Sequence, residues 1–163
     1  MGAGKSTVGE RCATRLGRPF VDTDDLVQTL AGRSVAELFA TDGEATFRDF
    51  ERQAVADASA SPTPLVIACG GGAVLDPTSR RQLHTTGFVV WLRARPAVLA
   101  DRVAADGIER PLLRAGALPT LTRLADSRAA VYAALADATV TTDDRTPDEV
   151  TDAVLEELAR CAA

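Results

Sequence analysis

Four short apolar runs, separated by stretches long enough to hold helices, constrain the fold of this chain more than any other feature. They are Pro19 to Asp22, Leu65 to Cys69, Phe88 to Arg93 and Ala138 to Thr142. Their shortness, near-continuous apolar character and valine content suit strands buried on both faces. Such strands belong to parallel sheets, whose crossovers are usually helices. The predicted class is therefore α/β, a parallel sheet with helices on both faces. With 163 residues the chain reads as a single domain, because two separate cores would each be small.

The stretches between these runs carry helix signals. Lys5 to Leu16 follows a glycine loop, and Ser34-Val35-Ala36-Glu37 reads as a capping box that opens a short helix. From Glu44 to about Ser59, Phe47, Phe50, Ala54 and Ala58 recur at helical spacing and define one apolar face. Asp76-Pro77 and Thr146-Pro147-Asp148-Glu149 combine a capping side chain with proline at the first helical position. In the last helix Val150, Val154, Leu155 and Leu158 form a packing face. Ala60 to Pro64 is a connector, and Gly107 to Pro119, the longest stretch without clear periodicity, is expected to be mobile.

Composition narrows the function. Hydrophobic residues at 46% and charged residues at 25% exclude collagenous and largely disordered chains. No uncharged apolar run approaches the ~18 residues of a membrane span, so a soluble, cytoplasmic protein is expected. The three cysteines, Cys12, Cys69 and Cys161, form no CxxC motif and are odd in number, which predicts free thiols. A net charge of -5 gives no general attraction for nucleic acid or acidic membranes, so an anionic ligand must be held by local geometry. Of the 18 basic residues only Lys5 is lysine, the rest being arginine. Lys5 stands where a compact ammonium is needed and a planar guanidinium would be bulky.

Gly2-Ala3-Gly4-Lys5-Ser6-Thr7 matches the C-terminal part of the GxxxxGK[ST] phosphate loop. Glycines let backbone N–H groups approach phosphate oxygens, Lys5 neutralises the β- and γ-phosphates, and the Ser6 hydroxyl suits Mg²⁺. The first glycine of the motif would fall upstream of Met1, and the natural protein is expected to begin roughly ten residues earlier with an apolar strand that leads into the loop. Asp22-Thr23-Asp24 follows the first strand, where two carboxylates could serve Mg²⁺ and a substrate hydroxyl or simply cap a helix. Gly70-Gly71-Gly72 follows the next strand and exposes backbone N–H groups. Arg48, Arg110 and Arg128 stand out for their surroundings, although among 17 arginines any single one is more often a surface charge. His84 reads as a surface residue, Trp91 and Tyr132 as packing residues, and Cys69 as a buried, inert thiol.

The ordered set GAGKST, DTD, GRS with FATDGE and FR, GGGAV, RPLL and SRAAVY resembles shikimate kinase over essentially the whole chain. The resemblance implies ATP-dependent phosphorylation of the 3-hydroxyl of shikimate on a nucleoside-monophosphate-kinase-like fold. Its three layers contain a five-stranded parallel sheet in order 2-3-1-4-5, with the strand expected upstream of Met1 at the centre. By the same resemblance Gly2 to Thr7 cradle ATP, Lys5 contacts its phosphates, and Ser6 and Asp22 serve Mg²⁺. Asp24 binds and orients or deprotonates the reacting hydroxyl. Arg48 and Arg128 hold the substrate carboxylate, and Gly70, Gly71 and Gly72 line that pocket. Arg110 belongs to a lid at about 107–122, hinged near Gly107, and reaches the transferring phosphate, while Arg145 and Pro147 lie near adenine, with Arg102 a further candidate to flank the base. A monomer with a small-molecule substrate and no nucleic-acid or membrane partner is expected. Two other readings stay open: a kinase for another hydroxy acid such as gluconate, and an inactive, N-terminally truncated nucleotide-binding module. Asp24 is followed by Asp25-Leu26-Val27, where gluconate kinases typically show Leu-His. The retained Asp24, Arg48, Arg110 and Arg128 favour a working substrate site over a mere nucleotide binder.

Overall fold

All four predicted strands form, each trimmed by a residue or two, in a computed structural model that describes residues 1–106 and 116–162. In chain order the elements are α1 (Lys5–Leu16), β1 (Phe20–Asp22), α2 (Thr23–Ala31), α3 (Val35–Thr41), α4 (Gly43–Ser59) and β2 (Val66–Ala68). A 3-10 turn (Ala73–Leu75), α5 (Pro77–Thr86), β3 (Val90–Arg93), α6 (Pro96–Asp106), α7 (Ala117–Leu135), β4 (Ala138–Thr141) and α8 (Pro147–Ala162) follow. The chain divides into two compact units, Ser6–Phe88 and Met1–Lys5 together with the residues from Val89 onward. Among the described residues no helix is long and apolar enough to cross a membrane.

In the Ser6–Phe88 unit, β1 and β2 run parallel, with Phe20 opposite Val66 and Asp22 opposite Ala68. This register has a functional consequence: the segments leaving both strands, Thr23–Asp24 and Cys69–Gly72, emerge side by side. Helices α2 and α3 pack on α4 around Val27, Leu38, Phe47 and Ala54, and the Phe39 and Phe47 ring centroids lie 4.6 Å apart. A Cβ at Gly9 would stand 2.6 Å from Cε2 of Phe20, so α1 approaches β1 through a position that only glycine fits. The approach offsets the ~1 kcal/mol that glycine costs inside a helix.

In the other unit β3 and β4 pair in parallel, Val90 opposite Ala138 and Arg93 opposite Thr141. Helix α6 packs on α7 and α8 on β4, burying Val103, Leu121, Leu135, Val140 and Val150. Trp91 and Tyr132 pack ring against ring at 5.5 Å, in line with their packing assignment. Arg102 ties this unit together: it donates to Thr142 Oγ1 at 2.9 Å, to Thr142 O at 2.6 Å and to Gly2 O at 3.4 Å.

The helix starts follow the capping chemistry. Ser34 and Glu37 form the full capping box on α3. Thr146 and Glu149 do the same on α8, with Thr146 N donating to Glu149 Oε2 at 2.7 Å and Glu149 N to Thr146 Oγ1 at 3.3 Å. On α5 the Asp76 carboxylate accepts from Thr78 N and Ser79 N, both at 2.9 Å. These bonds, led by the one from Ser79, hold the Asp76 carboxyl below its usual range. Asp76→Ala is expected to cost about 1 kcal/mol, as for other cap removals, measured by urea unfolding at pH 7. Because the folded pKa is depressed, the cap contribution is present at neutral pH and lost as the pH falls through the lowered value. The difference between wild type and variant should therefore shrink in acid.

The four described strands form two two-stranded sheets, 2 beside 3 and 4 beside 5, as the expected order 2-3-1-4-5 has them when its strand 1 is not among the described residues. The structure corrects other expectations. Residues 117–119, expected to be irregular, belong instead to α7, which starts at Ala117. Pro119 lies in the first turn of that helix, where its missing N–H has no intrahelical acceptor to lose. Cys69 is half-buried rather than buried, as is Phe50 on α4. Cys12 is the buried thiol, and burial raises its pKa.

Candidate functional site

Asp22 is the last residue of β1 and the N-cap of α2. One carboxylate oxygen accepts from Asp24 N at 3.0 Å, and the other accepts from the Ser6 hydroxyl at 2.6 Å. The helix-cap and metal-site readings of this triplet are thus compatible: the same carboxylate caps α2 and meets the phosphate-loop serine. The pair offers two hard oxygen donors on neighbouring element ends, a donor set that suits Mg²⁺ held mainly by phosphates and water. Among the described residues no group of three His, Cys, Asp or Glu side chains could hold a metal by itself.

The next step runs from α2 to the glycine triplet. Thr23, fully buried, accepts a hydrogen bond from Gly70 N at 2.8 Å through its hydroxyl. A Cβ at Gly70 would meet Glu51 Oε1 at 2.8 Å and Asp24 Oδ1 at 2.9 Å, so two carboxylates converge on this glycine. Gly70 has no positive φ; a Cβ there would have to push these two carboxylates aside. At Gly72 a Cβ would run into the guanidinium of Arg48. Asp24, Arg48, Gly70 and Gly72, far apart in sequence, are brought together, and Gly71 lies between the two contacting glycines.

Arg48 reaches this place from α4. It donates to Glu51 Oε2 at 2.7 Å and to Glu44 Oε1 at 2.8 Å, with its Cζ 5.2 Å from the Phe47 ring centroid. Burial disfavours its charge, but the hydrogen bonds and charges of Glu51 and Glu44 outweigh that effect and hold the guanidinium pKa above its ordinary value. Arg48 is thus a fixed cation. Glu51, only 3% exposed, is the residue that sequence reasoning missed. A signal was present: position 51 lies one turn beyond Phe47 and one before Ala54 and Val55, on the buried face of α4. A carboxylate on that face needs a partner.

The remaining candidates belong to the other unit, apart from Thr7, which is exposed in the first turn of α1. Gly2 and Gly4 take positive φ of 70° and 83° just before Lys5, on either side of Ala3. A Cβ on Gly2 would lie 2.9 Å from Leu99 O and 3.2 Å from Val103 Cγ2. Lys5 opens α1, whose own first turn carries no acid, so the positive helix end suits an anion. This glycine turn fits a phosphate cradle. Arg128 is half-buried on α7, and Arg145 and Pro147 are exposed at the start of α8. Arg110, Gly107 and most of the expected lid lie outside the described residues. His84 is exposed in the last turn of α5.

A family model described as shikimate kinase matches residues 1–159. The chain belongs to the shikimate kinase family. It is 47% identical over 160 residues to the shikimate kinase of Symbiobacterium thermophilum, a match covering 97% of this chain and 91% of that protein. Against the shikimate kinase of Thermobifida fusca the identity is 42% over 157 residues, covering 96% and 90%. Among solved structures, the shikimate kinase from Acinetobacter baumannii in complex with shikimate superimposes with a TM-score of 0.92 at 30% identity, covering 98% of this chain and 89% of that one. The fold is thus the α/β P-loop kinase fold of solved shikimate kinases. A gluconokinase from Sinorhizobium meliloti, at 22% identity and a TM-score of 0.60, shares that fold alone.

Proposed function

We propose that this chain transfers the γ-phosphoryl group of ATP to the 3-hydroxyl of shikimate, forming shikimate 3-phosphate and ADP on the route to chorismate and aromatic amino acids. The observation that carries the proposal is the convergence of Asp24, Arg48, Gly70 and Gly72 beside the Ser6–Asp22 pair. A fixed cation, a carboxylate and a side-chain-free turn suit a small hydroxy acid. Membership of the family supplies the substrate.

Each residue has a part in this reading. The turn from Gly2 to Gly4 and the start of α1, through Ser6 and Thr7, hold the phosphates with backbone N–H groups. Lys5 balances the charge that builds on the phosphoryl oxygens as the bond to ADP breaks. Asp24 accepts a hydrogen bond from the 3-hydroxyl and aims its oxygen at the γ-phosphorus, and the proton leaves toward that carboxylate. Arg48 and Arg128 hold the ring carboxylate, with Gly70 to Gly72 giving room for the ring. Arg145 and Pro147 flank the adenine, and Arg110 in the lid meets the transferring group. Ser6 and Asp22 would hold Mg²⁺, which when bound supplies further neutralisation of the phosphates. The reading also takes the enzyme to be a cytoplasmic monomer that works as one kinase domain.

An assay of ADP release with shikimate or gluconate as the second substrate tests the proposal. Shikimate-dependent release is expected, and release that depends on gluconate instead would overturn it. Failure of both acids would favour the nucleotide-binding module. Arg128→Ala is expected to raise the KM for shikimate about 10- to 100-fold, the equivalent of a hydrogen bond to a charged group, with little change in the KM for ATP. An equal rise in both constants would place Arg128 in the lid or in global stability instead.

A further inference from the structure

Thr23 stands between the two acids of the Asp22-Thr23-Asp24 triplet and has no part in the reaction described above. It is fully buried, opens α2, and its hydroxyl accepts from Gly70 N at 2.8 Å across 47 positions of sequence. If the site served only packing, valine would fill it with the same shape and no buried hydroxyl to satisfy. The hydroxyl is used, and it is used on the first glycine of the triplet.

The surroundings of Gly70 show what depends on that bond. Two carboxylates crowd this glycine, Glu51 Oε1 and Asp24 Oδ1, at 2.8 and 2.9 Å from where its Cβ would stand. A buried N–H seeks an acceptor. With the Thr23 hydroxyl gone, these same carboxylates are acceptors standing beside Gly70. Either would be drawn toward Gly70 N: Asp24 away from a substrate hydroxyl, or Glu51 away from Arg48, to which it is bonded at 2.7 Å.

We infer that Thr23 is a positioning residue: by occupying the Gly70 N–H it pins the glycine turn to the start of α2 and leaves the Asp24 and Glu51 carboxylates to the substrate hydroxyl and to Arg48. The inference rests on the proposed function for its kinetic consequence and on the structure alone for the hydrogen bond.

The test compares Thr23→Val, which keeps shape and removes the acceptor, with Thr23→Ser, which keeps the acceptor. Three readings are taken: steady-state kinetics, hydrogen exchange of the Gly70 amide by NMR, and the melting temperature. Thr23→Val is expected to speed Gly70 exchange about tenfold or more, as loss of one buried hydrogen bond implies. It should also lower kcat/KM for shikimate about 10²-fold, with the KM for ATP within about twofold of wild type. Thr23→Ser is expected to restore both the amide protection and the kinetics even where its melting temperature stays low. Wild-type kinetics in Thr23→Val with only a lower melting temperature would overturn the inference, as would unchanged Gly70 exchange. Should Thr23→Val fail to fold, Thr23→Ala against Thr23→Ser carries the same comparison. Absence of shikimate phosphorylation by the wild-type protein would sink the proposed function instead, and the Gly70 amide would still report whether Thr23 pins the turn.

Discussion

Lys5→Met is expected to lower kcat by about 10³-fold while leaving the fold and melting temperature near those of wild type. The magnitude is that of removing a preorganised charge from the transition state of a group transfer. The fold should survive because Lys5 is the first residue of α1 and lies outside the buried core. Methionine keeps the length and the helix propensity of lysine, so the comparison isolates the charge. Lys5→Arg should also be poorly active. Gly2, three residues earlier, is too tightly packed to accept even a Cβ, which would lie 2.9 Å from Leu99 O, and a planar guanidinium demands a wider cradle than an ammonium. Circular dichroism with steady-state kinetics decides the matter. Activity near wild type in Lys5→Met would refute the phosphate-loop assignment.

Arg48→Ala should fail in two separable ways. Glu51 would lose a 2.7 Å partner at a position that is 3% exposed, and stripping one member from a buried pair costs about 3–5 kcal/mol. The binding of shikimate should weaken in addition, because Arg48 is one of the two guanidinium groups assigned to its carboxylate. The double variant Arg48→Ala/Glu51→Gln separates the effects. Neutralising the buried Glu51 carboxylate should return much of the stability, measured by urea unfolding, and none of the affinity, measured by calorimetry with shikimate. If the double variant recovered shikimate affinity together with stability, Arg48 would be a packing residue only.

The contrast between Arg48 and Glu51 shows what could be read from the sequence. Arg48 stands in a motif, whereas Glu51 reads as one more charge on a helix until its position beside Phe47 and Ala54 is weighed. Glu51 is buried with Arg48 reaching it from one turn away, a coupling that pattern alone does not state. Similarly, the two acids of Asp22-Thr23-Asp24 announce their chemistry by residue type, while the threonine between them does not. Its role depends on β1 and β2 pairing in the register that sets Asp22 opposite Ala68, information that lies in the pairing and not in either strand. The caps were legible because capping is local: Ser34 with Glu37, Asp76 before Pro77, and Thr146 with Glu149 each act within one turn. The start of α7 was not, since Pro119 looks like a breaker until its place in a first turn is known.

Direct identification of the product tests the central claim most plainly. The protein is incubated with ATP, Mg²⁺ and shikimate, and the mixture followed by phosphorus NMR and mass spectrometry. One new phosphomonoester on the 3-hydroxyl of shikimate, formed in step with ADP and absent with Lys5→Met, is the expected result. Unchanged shikimate, with ATP either intact or hydrolysed only to inorganic phosphate, would contradict the account.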